Sequence, residues 1–156
     1  MASPAIRQWF IDLVTRLVPE APFQETDGVL TNQKALPEVW STFEFDMGAN
    51  QRLSIGREYI EREYGTCTVL FLIKAGRGPM IALNIAQSFA DKAKALYQED
   101  IKEASGVKAT ARLDNVGPPN SEPYEDGNWL VCSVACVYTY DAIRGRVLIE
   151  TLPVVN

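Results

Sequence analysis

The sequence predicts a single α+β domain, in which two helices pack on one face of a mostly antiparallel sheet of about four to six strands. Its 156 residues are close to the commonest length for one domain. Two segments carry apolar residues at helical spacing, whereas the segments between them alternate or are continuously apolar, as strands are. Because short turns join successive strand-like segments, we expect antiparallel pairing.

The first helix is predicted to begin at Ser3 and Pro4, since serine caps free N–H groups and proline fits the first turn. It ends before Pro19. The second helix is predicted to start at Pro79 and to run for about five or six turns. Its apolar stripe is Ile81, Ile85, Phe89, Ala93 and Leu96, flanked by Ala82, Ala86, Ala90 and Tyr97.

The strands are predicted from alternation and from β-branched and aromatic content. Residues 19–37 are interpreted as a long connection with a short strand at 28–30. The predicted strands and turns are a strand at 39–45, a turn at 47–50, a strand from Arg52 to Ile55, a charged stretch at 57–64 leading without a break into a central strand at 66–73, a strand at 107–113, a loop at 117–127, a strand at 129–140 and, after Gly145, a tail at 146–155. The central strand is expected to be covered on both faces.

Histidine is absent from the sequence. Its absence removes Ser–His and Cys–His nucleophile pairs and most zinc and iron sites. The three cysteines, Cys67, Cys132 and Cys136, lie in apolar strand-like runs, which predicts reduced, buried thiols. We therefore expect no catalytic residue, no cofactor, no metal and no enzymatic activity.

Two chemical alternatives remain open. A carboxylate-dependent hydrolase would use the acidic sets Glu58, Glu61 and Glu63 or Glu122, Glu125 and Asp126, although both sets are typical of solvated charge. A nucleotide-binding module would use residues 76–78, but Ile81 stands where the dinucleotide fingerprint requires its third glycine, and Pro79 removes a backbone donor.

The net charge of -5 argues against a general nucleic-acid binder. No apolar run approaches the ~20 residues that cross a bilayer. Arg7, Asp12 and Arg16 interrupt the apolar residues near the N-terminus, so we expect no signal peptide, synthesis in the cytoplasm and no membrane partner.

Two segments favour an interface. The stretch 57–64 places Tyr59, Ile60 and Tyr64 among five charges, and the tail at 146–155 is apolar and β-prone. An exposed strand of that kind pairs either with its own sheet or with a neighbour's, and the sequence leaves both options open.

The chain resembles the tail terminator (tail completion) proteins of long-tailed bacteriophages over nearly its whole length. The shared pattern is an opening helix at residues 3–7, an aromatic strand at 40–45, a long hairpin into 66–73, a glycine break and an alanine-rich helix at 81–97. It closes with residues 117–119, an acidic loop, the run 126–129 into the last long strand, and Tyr138-Thr139-Tyr140.

The resemblance implies a structural virion protein, one domain over residues 1–156 with 146–156 as a C-terminal arm. Such a protein forms a ring, usually a hexamer, that caps the head-proximal end of the tail tube. It stops tube polymerisation and offers a surface to the head–tail connector. Its partners would be copies of itself, tail-tube protein, a connector or neck protein, and DNA that passes through an acidic lumen without specific binding.

Ring assembly requires two different patches that meet around an axis. The predicted subunit or partner interface comprises Arg57, Tyr59, Ile60, Arg62, Tyr64, Tyr124, Val147, Ile149 and Leu152. The alternative within the same class is another phage neck, head-completion or tail-tube component. The sequence does not distinguish these, and it does not determine the subunit number, the host or whether the tail is contractile.

Overall fold

The computed structural model describes residues 3–24, 37–54, 56–74, 76, 79–96, 98–123 and 129–145. Two helices and six strands occur in these ranges. In chain order they are α1 (Pro4–Leu17), β1 (Val39–Arg52), β2 (Glu58–Lys74), α2 (Pro79–Lys94), β3 (Glu99–Lys102), β4 (Lys108–Val116), β5 (Asn120–Pro123) and β6 (Trp129–Gly145).

The six strands form one sheet, with the order β1-β2-β6-β4-β3. Every strand pair in it is antiparallel. The 17-residue strand β6 is central: β2 pairs along one of its edges, while β4 and β5 pair with different stretches of the other edge. The predicted α+β class with a mostly antiparallel sheet is confirmed.

Helix α1 begins and ends where the sequence predicts. The Ser3 hydroxyl accepts a hydrogen bond from the Ile6 N–H, and proline occupies the first turn. The ring of Phe10 contacts three aromatic rings of the sheet, those of Phe43, Phe45 and Tyr138. The buried residues of α1 are Ile6, Trp9, Phe10, Leu13 and Val14.

Helix α2 is shorter than predicted, since it ends at Lys94 and the chain enters β3 at Glu99. Ile81 was expected on the buried stripe but is 44% exposed. The stripe is instead centred one residue further on, because the small side chains allow the helix to approach the sheet closely. The buried residues of α2 are Ala82, Ile85, Ala86, Phe89, Ala90 and Ala93.

The predicted turn at residues 47–50 is wrong. Strand β1 runs through this stretch to Arg52, and the pairing register with β2 shifts between Met47 and Ala49. A β-bulge accommodates one extra residue and bends a strand without ending it. The chain reverses instead after Arg52, so β1 and β2 form one long hairpin.

Two short strands were not predicted. β3 follows α2 after a short connection and pairs with β4. β5 occupies part of the proline-rich stretch that the sequence predicts as a loop, and it pairs with residues 130–133 of β6. Both lie at the edge of the sheet, where a few residues can pair without a strong apolar pattern of their own. The short strand predicted at 28–30 lies outside the described residues.

The main core combines buried residues of both helices with buried residues of the sheet. Cys67 and Cys136 are buried there directly opposite each other, and Cys132 is buried four residue pairs further along. All three cysteines are free thiols, as predicted. Strand β2, which contains the strand predicted to be covered on both faces, is so covered only at residues 71–73, and elsewhere its second face is partly exposed.

A smaller apolar cluster covers one end of the opposite face. Trp40, Leu72, Trp129 and Val131 are buried in it. The rings of Trp40 and Trp129 meet edge to face, with centroids 5.8 Å apart. The other end of that face carries the candidate site.

Candidate subunit interface

The far ends of β1, β2 and β6 form one region of the sheet, which we call the arm (residues 49–54, 56–64 and 137–145), and β4 pairs with residues 137–142 along the other edge of β6. Its register places Ile60 opposite Ile143, Arg62 opposite Asp141 and Tyr64 opposite Thr139. Residues two apart on a strand share a face, so these side chains all lie on the side that points away from the main core. This side is called the outer face of the arm.

Apolar side chains are concentrated on the outer face. Among the described residues, seven large hydrophobic side chains are exposed, and five of them belong to the arm. Leu53 joins the group because its N–H donates to the carbonyl of Ile60 at 2.8 Å, which places the two residues side by side. The five are Leu53 (42% exposed), Ile60 (39%), Tyr64 (39%), Val137 (38%) and Ile143 (48%). The Arg62–Asp141 pair divides them into two groups, Leu53, Ile60 and Ile143 on one side and Tyr64 and Val137 on the other. We call these five residues together the apolar patch, and exposed apolar side chains concentrated on one face favour an interaction surface.

Two charged groups of the outer face, Arg62 and Asp141, are paired with each other. Arg62 donates to both carboxylate oxygens of Asp141, at 2.7 and 2.8 Å. This hydrogen bonding to Asp141 raises the pKa of Arg62, despite the opposing effect of desolvation. Because both charges have their partners within the chain, a partner protein can cover them without leaving either one unpaired.

A second ion pair continues this surface towards β4. The Arg112 guanidinium donates to the Asp114 carboxylate at 2.8 Å, and the Thr139 hydroxyl donates to the same carboxylate. The outer face therefore combines exposed apolar side chains with ion pairs that are satisfied within the chain, a composition that suits a protein–protein interface.

The structure brings together only part of the predicted interface. Ile60, Arg62 and Tyr64 share the outer face, whereas Arg57 lies exposed in the turn before β2. Tyr59 has the opposite orientation to Ile60, and its ring lies 4.3 Å from the Arg52 guanidinium carbon.

The remaining predicted interface residues, Tyr124, Val147, Ile149 and Leu152, lie outside the described residues, as do Glu125 and Asp126.

Sequence reasoning missed Leu53, Val137 and Ile143 as members of the patch. Val137 lies within the predicted last strand, and alternation along that strand could have placed it on one face. Ile143 lies beyond the predicted end of the strand, and only its pairing with Ile60 brings it into the site.

Glu63 was expected to be a solvated surface charge, and this expectation is wrong. It is only 5% exposed and lies on the face of the arm that points into the main core. The Tyr138 hydroxyl donates to it at 2.9 Å, and the backbone N–H of Ser3 donates at 3.2 Å. Burial and then the hydrogen bond to Glu63 raise the pKa of Tyr138. The carboxylate thus joins the start of α1 to the arm.

A second polar cluster lies nearer the tip of the arm. Glu103 accepts hydrogen bonds from Tyr140 at 2.5 Å and from Arg144 at 2.7 and 3.0 Å. Arg144 also lies 3.6 Å from a carboxylate oxygen of Glu61. Burial by itself would raise the pKa of Glu103, but the hydrogen bonds and charge of Arg144 and the bond from Tyr140 outweigh it and lower that pKa.

Two grooves border the arm. One, of about 860 Å³, lies between α1 and β3 and is bounded by Arg144 at the arm. The other, of about 750 Å³, runs along the outer face beside β3 and β4 and includes Ile60 and Ile143. Of the hydrolase candidates, Glu58, Glu61 and Glu63 line neither groove. The described residues contain no group of three acidic or cysteine ligands that could hold a metal ion.

The glycine turn offers little to support the nucleotide alternative. Gly76 is exposed with a positive φ of 97°, and residues 77 and 78 lie outside the described ranges. Helix α2 begins at Pro79, so the first helical residue supplies no N–H group to a phosphate. In the part of the chain that the structure covers, neither helix is long and apolar enough to cross a membrane.

Comparisons with known proteins add little. No protein-family model and no curated protein matches the chain. Among the solved structures that are similar, one covers 92% of this chain and 94% of its own, with 16% identical residues and a TM-score of 0.47. The name of that protein states no activity, ligand or partner. A TM-score this low carries no argument, so function is inferred from the sequence and from the geometry of the arm.

Proposed function

We propose that this protein is a structural subunit that assembles with copies of itself through the outer face of the arm. The observation that carries the proposal is the apolar patch of Leu53, Ile60, Tyr64, Val137 and Ile143. The solvated face of an antiparallel sheet normally presents polar side chains, so the exposed apolar side chains of the outer face favour burial against a partner.

The resemblance to phage tail terminators supports the specific role. In this proposal the protein is a structural virion component and not an enzyme, and it forms a ring on the head-proximal end of the tail tube. The ring is a hexamer that stops tube polymerisation and presents its other surface to the head–tail connector. DNA passes through its lumen, and the net charge of -5 discourages the phosphate backbone from binding there.

The placement of both helices on the core side of the sheet belongs to the same proposal. Contacts of Phe10 with Phe43 and of Phe89 with Phe71 support it. With both helices on that side, the outer face of the arm is left available for a neighbouring subunit.

The first test is the mass of the purified protein by light scattering, alone and then with tail-tube protein. We expect a ring-sized species, either at once or when tube ends are added, and we expect the tube to stop growing. A protein that stays monomeric and leaves tube growth unchanged would contradict the proposal. Arrest of head completion without any effect on tubes would favour another neck component.

The second test targets the outer face. Ile143→Lys places a charge in the apolar patch and should weaken self-association by on the order of tenfold or more. The matched control is Ile81→Lys, because Ile81 is 44% exposed on α2, comparable with the 48% of Ile143. Equal effects of the two substitutions on association would show that the arm is not the interface.

A further inference from the structure

The groove between α1 and β3 has no assigned occupant. Its floor includes apolar side chains, among them Ala5, Trp9 and Ile101, and its volume is about 860 Å³. Two ion pairs close its ends, Arg16 with Glu99 at 2.5 Å and Arg144 with Glu103 at 2.7 Å. An apolar trough with satisfied charges at both ends suits an apolar peptide segment.

We infer that this groove binds residues 146–155 of a second copy of the chain. The inference rests on the proposed self-assembly and names the surface that receives the C-terminal segment. The segment, Arg-Val-Leu-Ile-Glu-Thr-Leu-Pro-Val-Val, is mostly apolar. When extended, the ten residues of the segment reach about 33 Å. This length exceeds the ~21 Å length of α1, the helix that borders the groove.

The direction of β6 favours a second copy over the same chain. One end of the groove lies level with Tyr140 of β6, because Glu99 pairs with Ala111 and Ala111 pairs with Tyr140. The other end lies at Arg144, further along β6. The chain therefore passes the end of the groove as it leaves the sheet. β6 ends at Gly145, which still pairs with Glu58. To enter the groove of its own chain, the segment that follows would have to reverse direction, whereas the groove of a second copy requires no reversal.

Charge is compatible with this arrangement. Glu150 is the single acid of the segment, and Lys102 on the groove makes no ion pair with any described residue. A contact between the tail of one copy and the groove of the next joins two different patches. Contacts of this head-to-tail kind generate rings when the rotation closes.

Cross-linking between two kinds of full-length copies tests the inference. One kind carries Leu152→Cys, and the other, with a tag of different mass, carries Thr15→Cys on the exposed groove side of α1. Under mild oxidation we expect a disulfide that joins the two kinds of copies. Cys67, Cys132 and Cys136 are buried and do not compete. Gln87→Cys, on an exposed position of α2 outside the groove, replaces Thr15→Cys as the control and should not cross-link.

The outcomes separate this inference from the proposed function. Rings that form without the Leu152–Thr15 cross-link overturn the groove assignment and leave the ring standing. A double variant carries both introduced cysteines in one chain. If it cross-links only within single chains, independent of concentration, the segment docks on its own groove, and this result also overturns the groove assignment. Absence of both rings and cross-links contradicts the inference and the proposed function together.

A blocking substitution gives a second measurement. Gln8→Trp fills the groove, and we expect it to raise the concentration for half-association by on the order of tenfold. Gln87→Trp is its matched control, since the amide groups of Gln8 and Gln87 donate in the same way to Asp12 and Asp91, at 3.0 and 2.9 Å. Equal association of the two variants would contradict the inference.

Discussion

At the scale of single residues, buried polar groups of the arm are matched to specific donors. Glu63 is the clearest case, because a carboxylate that is 5% exposed receives hydrogen bonds from the Tyr138 hydroxyl and the Ser3 N–H. A buried acceptor that loses a donor costs more than an average hydrogen bond contributes. These contacts therefore fix the arm relative to α1.

Tyr138→Phe should lower the free energy of unfolding by about 1–3 kcal/mol, because it removes one donor from the buried Glu63 carboxylate. Urea denaturation measures the effect. Tyr64→Phe is the control, since Tyr64 is 39% exposed on the outer face, and its effect should stay within about 0.5 kcal/mol. A Tyr138→Phe variant as stable as the wild type would show that the bond contributes nothing.

Glu103 gives a prediction about pH. Its pKa in the folded protein lies below the ordinary value of 4.5, so its contribution to stability is present above that value and is lost as the pH falls through the folded-state pKa. In Glu103→Gln, the free energy of unfolding should therefore change less between about pH 6 and pH 3 than in the wild type. Glu44→Gln, at an exposed position of β1, is the control and should follow the wild-type curve.

The cysteines give a further prediction at this scale. Burial raises the pKa of Cys136 to about 12, and it also raises the pKa of Cys67. The thiolate is the reactive form, so the native protein should react very slowly with a thiol reagent, whereas the denatured chain should show three thiols. Rapid labelling of a native cysteine would contradict the buried placement.

At the scale of elements, the β-bulge in β1 shapes the arm. A Cβ atom added at Gly48 would lie 3.2 Å from the carbonyl oxygen of Tyr64 and 3.3 Å from its ring. Glycine therefore allows the two strands of the hairpin to stay close where the register shifts. The bulge lets one strand of 14 residues continue into the arm.

Gly48→Ala should lower the free energy of unfolding by about 1 kcal/mol, because the methyl group meets the backbone of β2. Gly145→Ala is the matched control. Nothing lies within 4 Å of a Cβ atom added at Gly145, and its φ is not positive, so the substitution should be neutral or slightly stabilising. Thermal unfolding compares the two, and equal losses would show that the close approach at Gly48 is not the cause.

At the scale of the whole molecule, the described core closes without the C-terminal segment. The main core draws on residues from Ile6 to Ala142, and β6 ends at Gly145. The surface that stays apolar is the outer face of the arm. The fold can therefore be complete in one chain while its assembly requires others.

Deletion of residues 146–156 should reduce the oligomer mass and leave the unfolding temperature of the chain close to that of the wild type. The physical reason is that the segment follows the last described strand and is proposed to bind a neighbour's groove. Light scattering and thermal unfolding measure the two effects. An unchanged mass would refute the role of the segment in assembly.

Much of the secondary structure follows from the sequence, because it depends on local patterns. The start of α1 is set by Ser3 and Pro4, and the long strands β2 and β6 are marked by continuous apolar runs. The edge strands β3 and β5 were missed because pairing, rather than their own composition, makes them strands.

The sequence alone determines that the chain has no histidine chemistry, that its cysteines are buried apolar residues and that two amphipathic helices accompany long strands. The tertiary structure decides which side chains meet. Arg62 and Asp141 are 79 positions apart in the chain, and the register of β2 with β6 pairs them and sets Ile60 beside Ile143. Periodicity reports the faces of one strand, but it cannot report which face of a distant strand is aligned with it, so the patch and the buried Glu63 became visible only in the fold.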